Sequence, residues 1–196
     1  MSQHNHSGLV EEAARIVCVD LVTDYGQAKR RAARQLGLPP QAGLPDNASV
    51  HAAVLDYLHL FGGDEYRERL QRMRKTAVVA LRLLAVYTPR LVGATLSGAV
   101  TAANRIQLHL FADSAEAVDI DLLNRGIPFE PGERSYRYGG RREHTVPLLR
   151  FDIDGEGVDA AVFAPDELRR APINPLDGKP FRRADLAEVE RLAASI

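Results

Sequence analysis

One stretch near the middle of the chain combines a glycine turn with side chains that are suited to phosphate binding. An apolar segment that starts at Leu91 is followed by a Ser97-Gly98 turn and then by an alternating strand, residues 105–111. Backbone N–H groups can approach a phosphate where a glycine turn opens a helix. An arginine such as Arg105 can hold the same group by two parallel hydrogen bonds. An ordinary strand-to-helix turn is the alternative interpretation of Ser97-Gly98.

The alternation of this predicted strand places Gln107 and His109 on one face. His109 is solitary, and no other His or Cys stands at ligand spacing, so the sequence predicts no metal site. A second apolar strand, residues 158–163, carries Asp159. Two interpretations of Asp159 stay open: it is a remnant of a ligand-binding site, or it is a polar residue on the solvent-facing side of an alternating strand.

The elements that would position these residues change character half-way along the chain. The first half has the apolar spacing of amphipathic helices, which are predicted over 8–22, 25–36, 47–61 and 64–87. Thr23 or Asp24 is the expected N-cap of the second helix, and Asp46 or Asn47 that of the third. Pro89 ends the fourth helix.

After Pro89 the pattern is typical of strands separated by turns. Strands are predicted over 91–96, 106–111, 144–153 and 158–163, with a strand or hairpin arm within 127–138. Helices are predicted over 114–124, 165–170 and 184–194. The expected fold is α+β: an N-terminal helical bundle, residues 1–88, and a mixed β-sheet region, residues 89–196, with a C-terminal helix.

Charge and cysteine content narrow the function classes. The 25 basic and 26 acidic residues nearly cancel, so no global field favours nucleic acid or an anionic membrane. Cys18 is the single cysteine, which excludes an internal disulfide, and its apolar neighbours predict a small buried hydrophobic residue. No apolar run reaches the roughly 18 residues of a membrane span, and residues 1–7 lack the apolar core of a signal peptide. A cytoplasmic protein without membrane contact is predicted.

Two local groups of basic residues stand out against this balance. One predicted helix carries a cluster that can contact a nucleic-acid backbone, although a solvated helix face is the alternative: Lys29, Arg30, Arg31 and Arg34. A second group falls on or beside the predicted hairpin and would make a cleft positive, which suits a nucleotide: Arg134, Arg137, Arg141, Arg142 and Arg150. The sequence does not indicate an oligomeric state.

The order of elements over residues 91–163 resembles the nucleotidyltransferase superfamily, whose members have the polymerase-β fold. The shared order is strand, glycine turn, strand, helix, hairpin strands and strand. The segment GVDAAVF, residues 157–163, resembles the strand that carries the third metal-binding acid of that family. The whole chain, including LRRAPINPLDGKPFRRADLAEVE near its end, also looks like a group of bacterial proteins assigned to this fold.

The resemblance assigns a position to each candidate site residue. Gly98 corresponds to the glycine that opens the helix, and Ala99 replaces the serine that binds phosphate in active members. Arg105 and Gln107 replace the two metal-binding acids of the second strand, while Asp159 keeps the position of the third. Active members use two magnesium ions bridged by carboxylates. One carboxylate beside an arginine cannot assemble that pair.

The resemblance therefore implies a catalytically degenerate protein that binds a nucleotide or another phosphate ligand without a metal cofactor. The expected ligand-binding residues are Gly98, Ala99, Arg105, Gln107, His109 and Asp159. One alternative is an active nucleotidyltransferase with a rearranged site, in which magnesium binds Asp159 together with Asp113 or Asp152. The other is a nucleic-acid or protein interaction module in the helical half.

Overall fold

The computed structural model describes residues 2–39, 43–139 and 142–195, and the fold class is α+β, as predicted. The chain divides into two compact units. The first consists of Met1–Glu68, Gly98–Asn104 and Pro175–Gly178, and the second of Arg69–Ser97, Arg105–Asn174 and Lys179–Ile196. The predicted domain boundary between residues 88 and 89 stays a prediction.

Three complete helices lie in the described part of the first unit: α1 (Ser2–Val19), α2 (Tyr25–Gln35) and α3 (Asn47–Phe61). Helix α1 packs on both of the others through buried aliphatic side chains such as Ile16 and Val54. The predicted N-caps Asp24 and Asp46 are confirmed, since each carboxylate accepts a hydrogen bond from a backbone N–H three residues later. The predicted end of the first helix at residue 22 is wrong. Helix α1 ends at Val19, because Leu21 has a left-handed φ of 57°.

The chain continues in α4 (Gly63–Leu83) and a 3₁₀ turn, Ala85–Tyr87. The prediction of one uninterrupted helix to residue 87 is therefore wrong at its end. Thr88 has a left-handed φ of 46° and precedes Pro89, and a residue before proline is disfavoured in the α conformation. The helix tightens and stops before that position.

A five-stranded mixed sheet forms the centre of the second unit in the part of the chain that the structure describes. Its strands are β1 (Arg90–Val92), β2 (Ile106–Phe111), β3 (Phe129–Tyr138), β4 (Arg142–Ile153) and β5 (Glu156–Phe163). Their spatial order is β1-β2-β5-β4-β3, with β2 and β5 parallel and all other neighbours antiparallel. Short α5 (Ala94–Ser97), α6 (Ala115–Asn124), a 3₁₀ helix (Pro165–Arg169) and C-terminal α7 (Leu186–Ala194) complete the unit.

The parallel pairing of β2 with β5 decides which side chains share a face. Gln107 lies opposite Asp159, and His109 and Phe111 lie opposite Ala161 and Phe163. Because side chains alternate along a strand, these residues point to one side of the sheet, here called the site face. The alternate positions are all buried on the other side: Ile106, Leu108, Leu110, Val158, Ala160 and Val162.

The residues before β2 differ from the prediction. The predicted strand 91–96 ends at Val92, and α5 occupies Ala94–Ser97, so the helical turn precedes Gly98 instead of following it. Gly93, with a φ of 74°, is the glycine directly before that turn. A four-residue helix is too short to show a 3.6-residue apolar period, and for this reason the sequence pattern favoured a strand.

We expect the change of Gly93 to alanine to destabilise the protein by about 1–3 kcal/mol. A left-handed φ costs an alanine about 1–2 kcal/mol, and the new Cβ would lie 2.6 Å from Oε1 of Gln107. Adding Gln107→Ala should recover the part due to the clash and leave the φ cost. Urea denaturation measures the stability of the single and the double variant. Gly8→Ala in α1 is the control: no atom lies within 4 Å of its new Cβ, and the change should stabilise the protein by about 0.5–1 kcal/mol. A Gly93→Ala protein as stable as the unmodified one would contradict this account of the turn.

Candidate functional site

Asp159 is a buried carboxylate at the centre of the sheet. Its strand, β5, has neighbours on both sides, and only 7% of the residue is exposed. The interpretation of Asp159 as a solvent-facing residue of an alternating strand is therefore wrong. A buried carboxylate needs charged or hydrogen-bonding partners, and Asp159 has them.

Arg105 is the closest of these partners. Its Nε donates to Oδ1 of Asp159 at 2.7 Å, and its Nη2 donates to the carbonyl oxygens of Phe151 at 3.0 Å and Val158 at 3.3 Å. The same Nη2 lies 3.4 Å from Oδ1 of Asp152. A Cβ at Gly157 would overlap the guanidinium, so the glycine leaves the space that Arg105 fills. The side chain that was expected to hold a phosphate directly is engaged by the protein itself.

Two further arginines border Asp159. Nη2 of Arg134, on β3, lies 3.9 Å from Oδ2 of Asp159. Arg150, on β4, is the register partner of Asp159, is exposed, and extends over Gly132, whose missing side chain gives it room. Among the described residues no carboxylate oxygen lies within 4.0 Å of Arg150. Three arginines therefore border one buried carboxylate on this part of the site face.

A groove of about 350 Å³ opens beside this cluster. It is lined by Arg105, Pro128, Phe129, Glu130, Arg150, Phe151 and Asp152. The lining combines two guanidinium groups, two carboxylates and an apolar wall. A ligand with an anionic group and a flat apolar part has the matching chemistry.

No group of three or more His, Cys, Asp or Glu residues that could hold a metal ion occurs in the ranges that the structure describes. Of the acids considered for a rearranged active site, Asp152 and Asp159 both contact Arg105, and Asp152 is 71% exposed. Asp113 lies beyond the end of β2 and is exposed. The guanidinium group of Arg105 therefore lies between Asp152 and Asp159, where a metal ion shared by these two carboxylates would have to bind.

His109 lies next to this cluster on the site face and is 1% exposed. Its ring packs against Tyr136, Phe163 and Phe181, with ring centroids 4.6–5.4 Å away. Nδ1 accepts a hydrogen bond from Nε of Arg183 at 3.1 Å, which assigns the proton of the neutral ring to Nε2. Burial, followed by the nearby charges of Arg183 and Arg134, lowers the pKa of His109 well below 6.5. The ring is neutral in the folded protein at pH 7.

The lowered pKa of His109 predicts a loss of stability in acid. Below about pH 6.5 an unfolded histidine binds a proton that folded His109 does not. The free energy of unfolding should therefore fall as the pH decreases, by up to about 1.4 kcal/mol per unit from this residue. His109→Gln should have a shallower slope between pH 7.5 and 5.5 in urea denaturation, with a remainder from His51, whose pKa burial also lowers. Equal slopes in both proteins would contradict the assignment.

The six predicted site residues divide between the two units. Arg105, Gln107, His109 and Asp159 share the site face of the second unit, as the register of β2 and β5 requires. Gly98 and Ala99 belong to the first unit, where the carbonyl oxygen of Gly98 accepts a hydrogen bond from the Tyr66 hydroxyl at 2.9 Å. A role for those two residues in ligand binding stays a prediction.

Of the hairpin arginines whose side chains the structure describes, two border the site. Arg134 and Arg150 do so, whereas Arg137 pairs with Glu143 at 3.1 Å. Arg141 lies outside the described residues. Arg183, in the segment before α7, is not predicted from the sequence, because no pattern links it to a histidine 74 positions earlier.

The basic cluster of α2 is partly occupied by local contacts. Lys29 donates to the carbonyl oxygen of Pro45 at 2.8 Å, and Arg31 pairs with Asp20 at 2.7 Å, while Arg30 and Arg34 are exposed. Nucleic-acid binding by this helix stays a prediction. Burial raises the pKa of the half-buried Cys18 thiol to about 11, so it is protonated and unreactive at neutral pH.

Comparisons with protein-family models, with curated proteins and with solved structures find no match to this chain. The nucleotidyltransferase resemblance consequently stays an expectation from the residues quoted above. None of the described helices is both long enough and apolar enough to cross a membrane.

Proposed function

We propose that the protein binds a nucleotide or another phosphate-bearing ligand beside Asp159 without a metal ion and without transferring a nucleotidyl group. The observation that carries this proposal is the pairing of Asp159 with Arg105 at 2.7 Å and its proximity to Arg134 at 3.9 Å. A carboxylate engaged by two guanidinium groups is a poor metal ligand, because both arginines repel the cation. Without bridging metals, the charge stabilisation on which nucleotidyl transfer mainly relies is missing.

Arg134 and Arg150 supply the affinity for phosphate. Each has donors beyond those that its protein partners use, and a guanidinium binds phosphate oxygens in a planar, bidentate manner. The half-buried Phe129 in the adjacent groove offers an apolar surface for a base or a sugar. Arg105 acts indirectly, because it neutralises Asp159 and thereby keeps that carboxylate from repelling the ligand. A cytoplasmic location belongs to this proposal.

Binding of ATP, measured by isothermal titration calorimetry, tests the proposed site. Arg150→Gln should weaken the affinity by about tenfold or more, which corresponds to the loss of one charge-assisted contact. Arg137→Gln is the matched control, since that exposed arginine pairs with Glu143 and is expected to leave the affinity unchanged. Equal affinity in the two variants, or no binding of ATP to the unmodified protein, would refute the proposal.

A gain of metal binding tests the resemblance separately. The double change Arg105→Asp with Gln107→Asp places two new carboxylates beside Asp159, because Arg105 contacts Asp159 and Gln107 is its register partner. Magnesium should then raise the melting temperature of the variant, whereas Arg105→Asn with Gln107→Asn should not respond. If magnesium has no effect on the Asp variant, the positions do not correspond to those of a metal centre.

A further inference from the structure

Two arginines on the far side of His109 from Asp159 lack an acidic partner. Arg90, on edge strand β1, is the register partner of His109 and therefore lies on the site face. Arg183 reaches the same histidine from the C-terminal segment. No carboxylate oxygen of the described residues lies within 4.0 Å of either guanidinium. Both side chains are partly buried, and Nη1 of Arg90 donates to backbone carbonyl oxygens instead, those of Pro89 at 3.0 Å and Thr88 at 3.4 Å.

Backbone pairing brings Arg183 to this place. Leu91 of β1 exchanges two backbone hydrogen bonds of 2.9 Å with Ala184. Leu91 and Ala184 point to the buried side, and the neighbouring Arg183 consequently lies on the site face. Its Cζ lies 4.9 Å from the centroid of Phe111 and 5.3 Å from that of Phe163.

Arg183 and His109 each have a buried hydrogen-bond donor without an acceptor among the described residues. Nη1 of Arg183 donates to the carbonyl oxygens of Glu167 and Leu168 at 2.9 and 3.2 Å, but its buried Nη2 has no acceptor. Nε2 of His109, which carries the ring proton, also has no acceptor, and water cannot supply one from the surface because the residue is only 1% exposed. Buried donors without acceptors are rare in folded proteins. The donors that lack an acceptor thus include one on each member of this hydrogen-bonded pair.

The neighbouring carboxylates are occupied elsewhere. Glu167 accepts hydrogen bonds from the Tyr138 hydroxyl at 2.6 Å and from the backbone N–H of Ala164 at 3.1 Å. Asp185 caps α7 by accepting from the N–H of Glu188 at 2.9 Å. Burial is the main cause that lowers the pKa of Arg183; Tyr138, Glu167 and Tyr136 act against it, and the positive charge of Arg90 adds a smaller decrease.

We propose that Arg90 and Arg183 form a second anion site, which binds a phosphate group on the site face beside His109. A tetrahedral dianion carries enough charge to compensate both cations, and its several oxygens can accept from more than one guanidinium. The site shares no side chain with the one around Asp159, so the two proposals can succeed or fail separately.

Thermal denaturation with inorganic phosphate tests this site, with sodium chloride of equal ionic strength as the reference. Phosphate should raise the melting temperature of the unmodified protein by about 3 °C or more at saturation. Arg90→Gln and Arg183→Lys should each lose most of this shift, the second because lysine keeps the charge but not the planar fork. Arg125→Gln, which changes an exposed arginine paired with Asp121, should keep it.

One more variant separates this site from the proposed function. Arg150→Gln should weaken ATP binding and keep the rise in melting temperature that phosphate causes. Arg90→Gln should lose most of that rise and keep the affinity for ATP. The second site is refuted if phosphate stabilises the unmodified protein no more than chloride does, or if Arg90→Gln responds like the unmodified protein. Loss of the phosphate shift in Arg150→Gln would refute it as well, because the anion would then bind at the Asp159 site.

Discussion

Phe163→Ala is expected to lower the free energy of unfolding by about 3–5 kcal/mol, the usual cost of removing a buried phenyl ring. Phe163 is 1% exposed and packs against His109, Phe111 and Tyr136, with centroid distances of 4.6, 6.0 and 5.1 Å. The cavity cannot collapse easily, because rigid aromatic rings and the strands of the sheet surround it. Urea denaturation monitored by far-UV circular dichroism measures the loss.

Phe61→Ala is the matched control for that experiment. Phe61 is 70% exposed at the end of α3, and its removal should change stability by no more than about 0.5 kcal/mol. A loss below about 1 kcal/mol for Phe163→Ala would contradict the packing of β2, β3 and β5 around this ring.

Arg105→Ala is expected to cost about 2–3 kcal/mol. The change leaves the buried Asp159 carboxylate without its closest cation and leaves the carbonyl oxygens of Phe151 and Val158 without a donor. The cost stays below that of a fully buried pair, because Arg105 is partly exposed and water can replace some of its contacts.

A double-mutant cycle of Arg105→Ala and Asp159→Ala isolates the pair. We expect a favourable coupling of about 1–2 kcal/mol, since the two side chains are in direct contact. The exposed pair of Arg67 and Asp64, at 2.7 Å, is the control and should couple by less than about 0.5 kcal/mol. A coupling as small as that of the control would contradict the claim that Arg105, instead of a metal ion, neutralises Asp159.

Local patterns predicted the elements well where the determinants are close in sequence. Helices α2 and α3 begin after Asp24 and Asp46 because a capping carboxylate acts on an N–H only three residues away. The shared face of Gln107 and His109 likewise follows from alternation within one strand. In contrast, α5 was missed, because four residues are too few to show a period.

The contacts of the candidate site depend on pairing between distant segments. The burial of Asp159 results from the central place of β5 between β2 and β4, and this strand order is not encoded in any local pattern. Arg105 and Asp159 are 54 residues apart, and Arg183 and His109 are 74 apart. The sequence therefore predicts Arg105 and Asp159 as candidate site residues but does not predict that they pair.

The affinity for ATP in EDTA compared with that in magnesium tests the central claim most directly. Isothermal titration calorimetry of the unmodified protein gives both values under otherwise equal conditions. We predict binding in EDTA that is at least as tight as in magnesium, because arginines rather than a metal ion bind the phosphates and free ATP carries more negative charge than its magnesium complex. Binding that occurs only with magnesium would contradict the claim and would favour a metal-dependent site.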